Sequence, residues 1–339
     1  MKVGLVGCGS IGRVHAMAIN RTEFAKLCAV VDIKPEEAKA YSQSYTDGQA
    51  AVYTTLEAMI AAEELDVVHI CTPHMCHVPM AITALQKGIH VFMEKPPAIS
   101  RAEFEQLTAA EAMSGGRLGI CFQNRYNEST KKVSELIAGG TFGSLRGGRA
   151  FVTWDRNADY YTGSEWRGRL ASEGGGVLMN QSIHTLDLLL KWMGRPVSVE
   201  ASMQNHHLKG YIEVEDTMEA YLTFTEGDDP VRAAFYATNT YVSDEPVFVE
   251  LSFTDGFIRL EGDHIWYRDR LRSKPEYWQA ASQAGPGKAY WGSGHEACID
   301  DFYRCLNQDI PYQNDLKSSA NTFYTVMDIY ESARAQKAK

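Results

Sequence analysis

The stretch GLVGCGSIGRVHAMAIN, residues 4–20, decides how the first part of this chain folds. Within it Gly7-Cys8-Gly9-Ser10-Ile11-Gly12 fits G-x-G-x-x-G, directly after an apolar run and directly before RVHAMAIN, which suits a helix. In that setting the glycines permit a tight turn and let the main chain approach a pyrophosphate, whose charge then rests at the helix N-terminus. A second apolar run, LCAVVD at 27–32, ends in Asp32. A carboxylate about 20 residues beyond the turn can accept hydrogen bonds from an adenosine ribose. It also repels the 2′-phosphate of NADP, and the next residue is Ile33 rather than an arginine, so NAD is favoured over NADP.

Further short apolar runs follow: DVVHICT at 66–72, IHVFME at 89–94 and LGICFQ at 118–123. Segments of helical apolar spacing, such as PEEAKAYSQSY and MAITALQKG, lie between them. Strand alternating with helix implies a parallel, doubly wound sheet. After about residue 145 the rhythm changes to runs of period two. In TMEAYLTF (217–224), Met218, Ala220, Leu222 and Phe224 point one way and Thr217, Glu219, Tyr221 and Thr223 the other, as in an antiparallel strand with one covered face. VRAAFYAT, VFVELSF and FIRLEG behave similarly, and TFYTVMDIYESARAQ reads as a closing helix near 315–335. At 339 residues the chain exceeds what one core usually supports, so two domains are expected: 1–123 for a dinucleotide and 124–339 for substrate.

Composition narrows the function. Hydrophobic content of 45% and charged content of 22% are globular values. No apolar run approaches the ~20 residues that span a bilayer, and the start has no signal-peptide layout, so a soluble, cytoplasmic protein is expected. The seven cysteines are scattered, with no C-x-x-C pair, and the histidines show no ligand spacing; neither a disulfide framework nor a metal site is expected. A net charge of −10 with no basic cluster argues against nucleic acid as a partner.

Two other stretches carry chemistry. Thr72-Pro73-His74 and Glu94-Lys95-Pro96 each end a strand, and ligands of open α/β sheets bind outside the carboxyl ends of strands. A lysine held there can hydrogen-bond a substrate hydroxyl and share in proton transfer. Residues 174–187, GGGVLMNQSIHTLD, pass from glycines into a helical pattern that puts Asn180, His184 and Asp187 at i, i+4 and i+7, on one helix face. Histidine is the side chain best matched to proton transfer near neutral pH. FVTWDRNADYYTGSEWRGR (151–169) offers Trp154, Tyr160, Tyr161 and Trp166 for stacking on sugar faces, and Arg156, Arg167 and Arg169 for hydroxyl or anionic groups.

Taken together, GCGSIG with Asp32, TPHMCHVPMAITALQKGIHVFMEKP, the NRY at 124–126, GGGVLMNQSIHTLD, GSGHEACIDDFYRCL and the closing YESAR make the chain resemble the Gfo/Idh/MocA family, named for glucose–fructose oxidoreductase and inositol dehydrogenase. The resemblance implies an α/β N-terminal Rossmann domain and a C-terminal α+β domain on a large open, mostly antiparallel mixed sheet, whose exposed face commonly makes oligomer contacts. A homo-oligomer, dimer or tetramer, is therefore expected. By carry-over, Lys95 and His184 are the catalytic pair. Ser10, Ile11, Asp32, Thr72, His74, His77 and Glu94, with Trp166 and Arg167, match cofactor-contacting positions alongside Gly7, Gly9, Gly12 and Lys95. Tyr126, Trp154, Arg156, Tyr161, Asn180 and His184 join Lys95 around the substrate. Many members carry Asp where this chain has Asn180, which puts an Asp-assisted proton relay in doubt. The implied activity is hydride transfer between a secondary hydroxyl of a sugar, cyclitol or sugar derivative and a nicotinamide. An NAD-dependent glycosidase of the same fold and a non-catalytic dinucleotide sensor are the alternatives.

Overall fold

In the computed structural model, which describes residues 1–225, 227–281 and 294–337, the apolar runs of the first part are strands. They are β1 (Lys2–Val6), β2 (Lys26–Val31), β3 (Ala51–Tyr53), β4 (Val67–Ile70), β5 (His90–Glu94) and β6 (Leu118–Cys121), and every pairing is parallel in the order β3-β2-β1-β4-β5-β6. The order reverses between β1 and β4, which makes that edge the topological switch point. β4 is buried at all four residues, the reason its run is uniformly apolar apart from His69. β3, a three-residue edge strand of half-buried residues, is too short to stand out among the runs read from the sequence.

Helix starts follow local chemistry. Ser100 caps the helix Arg101–Ala112 by accepting from Glu103 N, while Glu103 reaches back to Ile99 N at 3.0 Å. Pro35–Thr46 starts on proline with Glu36 and Glu37 in its first turn. The helix Ser10–Arg21 differs: it has no side-chain cap and no acidic residue in its first turn.

The chain divides into two compact units. The first is Met1–Gln123 together with residues 294–320, and the second contains residues 124–281 and 321–337. Membership of 294–320 in the first unit departs from a split at 123 alone. Gly119 explains the attachment of this segment: a Cβ there would meet the Phe302 ring at 2.8 Å and Tyr312 at 3.0 Å, so its absence admits both rings against β6. The Gly292-Ser293 start of the GSGHEACIDDFYRCL segment lies outside the described residues.

The second unit is built on an eight-stranded sheet: β7 (Leu145–Thr153), β8 (Ser198–Gln204), β9 (Thr217–Thr223), β10 (Arg232–Thr238), β11 (Phe248–Phe253), β12 (Gly256–Glu261), β13 (His264–Arg268) and β14 (Glu276–Gln279), ordered β14-β13-β12-β11-β7-β10-β9-β8. Among the described residues of this sheet, only β7 and β10 pair in parallel; the other pairs are antiparallel. In β9 the alternation holds at the centre, where Met218, Ala220 and Leu222 are buried while Glu219 and Tyr221 are exposed, but Thr217 and Thr223 at the ends, expected on the open face, are buried as well. β7 is central yet hard to see in sequence, because Gly147 and Gly148 interrupt it. At Gly148 the helix Ile183–Met193 presses close, since a Cβ would meet Met193 Sδ at 2.8 Å. That helix buries Ile183, Leu186, Leu189 and Leu190. Among the described residues no helix is long and apolar enough to cross a membrane.

Asp187, on the same helix, takes the Arg125 guanidinium in a bidentate pair at 2.8 and 2.6 Å and the Thr322 hydroxyl at 2.6 Å. The side chains are 1% and 9% exposed, so this is a buried ion pair that ties three segments of the unit together. Asp187→Ala leaves the Arg125 cation buried without its counter-charge and is expected to cost about 3–5 kcal/mol, read as a shift in the urea unfolding midpoint.

Candidate functional site

The G-x-G-x-x-G turn leaves β1 with Gly7 at φ +96°, in the left-handed region that a side chain disfavours. A Cβ at Gly12 would fall on the Gly7 carbonyl oxygen, so this glycine lets the first helical turn close against the end of β1. Gly9 is the opposite case: a Cβ there would meet nothing within 4 Å. Space above Gly9, uncapped first-turn amides and the lack of acidic residues form a cradle for a diphosphate. Asp32 ends β2 half-buried and accepts from Cys8 N and Lys34 N at 3.0 Å each, which aims the carboxylate while leaving lone pairs on both oxygens for ribose hydroxyls. At the end of β4 the Thr72 hydroxyl is buried without a hydrogen-bond partner. A glycine cradle, an aimed carboxylate and an orphaned hydroxyl on one sheet edge fit a dinucleotide.

His74 and His77 follow Thr72. Both are buried, with rings 5.6 Å apart. His77 places Nδ1 2.9 Å from the Pro96 carbonyl and Nε2 3.0 Å from the Thr72 carbonyl. A neutral ring carries one N–H, so His77 donates to one of these two carbonyls and sits as a clamp between the ends of β4 and β5. The clamp fixes the turn carrying the half-buried Lys95. Burial lowers the His77 ring below its usual pKa, against the upward pull of the two carbonyls.

Beneath this turn runs a buried polar chain that the sequence reading did not find. Glu94 Oε1 lies 3.0 Å from His15 Nε2, His15 Nδ1 lies 2.9 Å from His69 Nδ1, and His69 Nε2 lies 2.7 Å from the Tyr303 hydroxyl. Burial alone would raise the Glu94 carboxyl, but the hydrogen bond and charge of His15, with His295 and Lys95 beyond, hold it well below the carboxylate range. An ionised Glu94 can only accept, so His15 Nε2 donates to it, and the direction of the other two links follows the tautomer of each ring. Burial keeps His69 neutral, and it lowers His295 to about 4. Donor atoms of His15, Glu94 and Cys121 lie within 4.8 Å of one another, a spacing that could hold a metal ion. However, both His15 nitrogens are engaged in the chain and burial pushes the Cys121 thiol up, so the grouping is accounted for as a hydrogen-bond network. The spacing from Gly12 to His15 was visible; its convergence with His69, Glu94 and Tyr303 was not.

In the second unit the GGG stretch packs its main chain against neighbours. A Cβ at Gly175 would collide with the Tyr330 hydroxyl and one at Gly176 with the Glu215 carbonyl. The helix expected from Leu178 onward is broken: Val177–Gln181 is a π turn, closed by Ser182 N to Val177 O at 2.8 Å, and Ile183–Met193 begins after it. The extra residue in the turn changes the i, i+4, i+7 stripe. Asn180 and His184 are half-buried, whereas Asp187 turns inward to Arg125. Asn180 donates from Nδ2 to Glu173 at 2.5 Å.

Several side chains of the aromatic segment are tied into the second unit. Tyr161 is 2% exposed, packs with Leu208, Ile212 and Val214, and receives a hydrogen bond from Asn239 Nδ2 at 2.7 Å. Trp154 is buried and donates to the Glu245 carbonyl. Arg156 stacks 5.0 Å from the Trp154 ring and pairs with Asp244 at 2.6 Å. Arg167 lies over Tyr160 at 4.4 Å and Trp166 at 5.4 Å. Tyr126 ends a short turn, Gln123–Tyr126, and is buried below Lys131, whose Nζ lies 5.9 Å from the ring centroid.

Sheet order, cradle and strand-end residues together define a dinucleotide-binding fold. Residues 1–122 match a model described as an oxidoreductase family with an NAD-binding Rossmann fold, and residues 130–259 match the Gfo/Idh/MocA C-terminal domain. The chain belongs to the Gfo/Idh/MocA family. It is 26% identical to D-apiose dehydrogenase from Paraburkholderia graminis over 98% of this chain and 88% of that protein. It is 29% identical to D-glucoside 3-dehydrogenase from Escherichia coli over 58% of this chain, a match that spans 55% of the relative. Among solved structures, the WlbA dehydrogenase of Bordetella pertussis, crystallised with NADH and UDP-GlcNAcA, superimposes with a TM-score of 0.86 at 28% identity, covering 99% of this chain and 96% of that one.

Because nothing packs above Gly9, Gly9→Val is expected to leave the thermal unfolding midpoint unchanged and to weaken NADH binding at least ~10-fold, as a side chain in the cradle holds the diphosphate away from the main-chain amides. Fluorescence titration with NADH beside a melting curve checks both halves.

Proposed function

We propose that this chain is an NAD-dependent dehydrogenase oxidising a secondary hydroxyl of a sugar, cyclitol or sugar derivative, with Lys95 and His184 in proton transfer. The observation that supports it most directly is the half-buried Lys95, braced by His77 at the carboxyl end of β5, on the same sheet edge as the glycine cradle. When bound, NAD supplies the hydride acceptor. The residues do the rest. Lys95 donates a hydrogen bond to the hydroxyl and orients it, and the imidazole of His184 takes the hydroxyl proton and passes it to solvent. Ionised Glu94 places a negative charge beside Lys95, and Asp32 favours NAD over NADP.

The relatives support a polyhydroxylated substrate, since one is a D-apiose dehydrogenase, another a D-glucoside 3-dehydrogenase, and the WlbA structure holds UDP-GlcNAcA beside NADH. We assign the chain to soluble, cytoplasmic carbohydrate metabolism as a homo-oligomer.

The test is NAD reduction against sugars, cyclitols, uronic acids and sugar nucleotides. Lys95→Ala and His184→Ala are each expected to lower turnover at least ~100-fold while NADH still binds, the usual scale for losing a proton-transfer group. Wild-type rates in either variant remove that residue from the mechanism. Cleavage of an aryl glycoside without net NADH would replace this reading with the glycosidase one.

A further inference from the structure

The uncapped first amides of the helix Ser10–Arg21 form part of the diphosphate cradle, and three residues beyond Gly12 the same helix turns His15 inward, 0% exposed. There His15 Nε2 lies 3.0 Å from Oε1 of Glu94, the last residue of β5. The other oxygen of that carboxylate, Oε2, accepts from the Lys95 main-chain N at 3.3 Å. One carboxylate thus joins the helix of the cradle to the turn that carries Lys95. The imidazole is packed in place, with the ring centroids of Phe92 and His69 at 5.6 and 5.1 Å from its own. Apolar side chains of similar volume often serve stability as well as a buried charge does, so a carboxylate kept at this point indicates a use. Nothing in the reaction above uses His15.

We propose that His15 is a positioning residue for Lys95: by holding Glu94 Oε1 it fixes the carboxylate that in turn holds the Lys95 main chain, so that the cradle and the lysine are set against each other by one buried link. This rests on the dehydrogenase reading. In this role His15 acts through Glu94 and touches neither alcohol nor dinucleotide.

The link works while Glu94 is ionised. Burial pushes this carboxyl up; the hydrogen bond and charge of His15 are the largest opposing influence, and His295 and Lys95 add to it. The other groups that face it are His69 on β4, His77 beyond β4, and the thiols of Cys71 and Cys121. Burial lowers His69, His77 and His295 and raises both thiols, so the His15 N–H is the chief support of the ionised form. With that donor removed burial prevails, the carboxyl rises, and the negative charge beside Lys95 is lost as pH falls through the new value.

Three substitutions at His15 in the full chain separate this link from packing. Gln sets an amide donor near the place of Nε2, Asn sets one near Nδ1, and Leu fills the space with no donor. With NAD and whichever sugar, cyclitol, uronic acid or sugar nucleotide of the panel turns over fastest, His15→Leu should lower kcat about tenfold, the scale of losing a hydrogen bond to a charged group, while NADH affinity stays within about twofold of wild type. His15→Gln should recover most of kcat and His15→Asn should not. A wild-type kcat in His15→Leu, or a His15→Gln variant no better than His15→Asn, overturns the proposal. In protein labelled with 13C at the glutamate carboxyls, the Glu94 signal, assigned by its loss in Glu94→Gln, should remain that of a carboxylate through the ordinary glutamate range, about pH 4–5, in the wild type and titrate at higher pH in His15→Leu. A Glu94 signal that is the same in both overturns it. If His15→Leu fails to fold, the Gln and Asn variants decide by the same two readings. If the wild type reduces no NAD on the panel, the dehydrogenase reading fails, while the carboxyl titration separately upholds or removes the tie between His15 and Glu94.

Discussion

The first unit depends on a contact between two main-chain segments that only a missing side chain allows. At Gly12 the first turn of the helix Ser10–Arg21 sits so close to the Gly7 carbonyl that a Cβ has no room. From that approach follow the direction of the helix, the exposure of its first amides above Gly9 and the reach of the Tyr41 hydroxyl, which donates to the Gly12 carbonyl at 2.5 Å. Asp32 is aimed by the same turn, because it accepts from Cys8 N. A ligand with two phosphates therefore meets donors already in place, and no local folding needs to accompany binding.

Two buried glutamates show how surroundings divide one side-chain type into two states. Glu94 and Glu173 both lose water, which favours the protonated form. Around Glu94 the nearby partners are His15, His295 and Lys95, and it stays ionised. Around Glu173 the hydrogen bonds from Asn180 and Gly168 are opposed by the like charge of Glu215, and the balance falls near neutrality. The first is fitted to holding a permanent charge beside Lys95; the second is poised between forms. Asp187 is a third case, a carboxylate given over to structure through Arg125 and Thr322.

Much was legible in residue order. The glycine turn, the apolar runs of β1, β2, β4, β5 and β6 and the alternation of β9 are local patterns whose physical cause lies within a few residues of each position. The motif positions of Lys95, Asn180 and His184 were equally visible. The partners of the aromatic segment were not, because Tyr161 and Arg156 bond to Asn239 and Asp244, which lie some eighty residues on.

By itself the sequence determined the family, the Rossmann half and the cofactor class, since these are written in short spacings that set backbone geometry directly. Tertiary structure alone decided that Val177–Gln181 is a π turn, that residues 294–320 join the first unit, that His15 and His69 line up behind Glu94, and that Glu173 meets Asn180. Those outcomes turn on which distant groups arrive at a shared buried point. There, the cost of an unpaired polar atom selects the partner, and chain spacing carries no record of that selection.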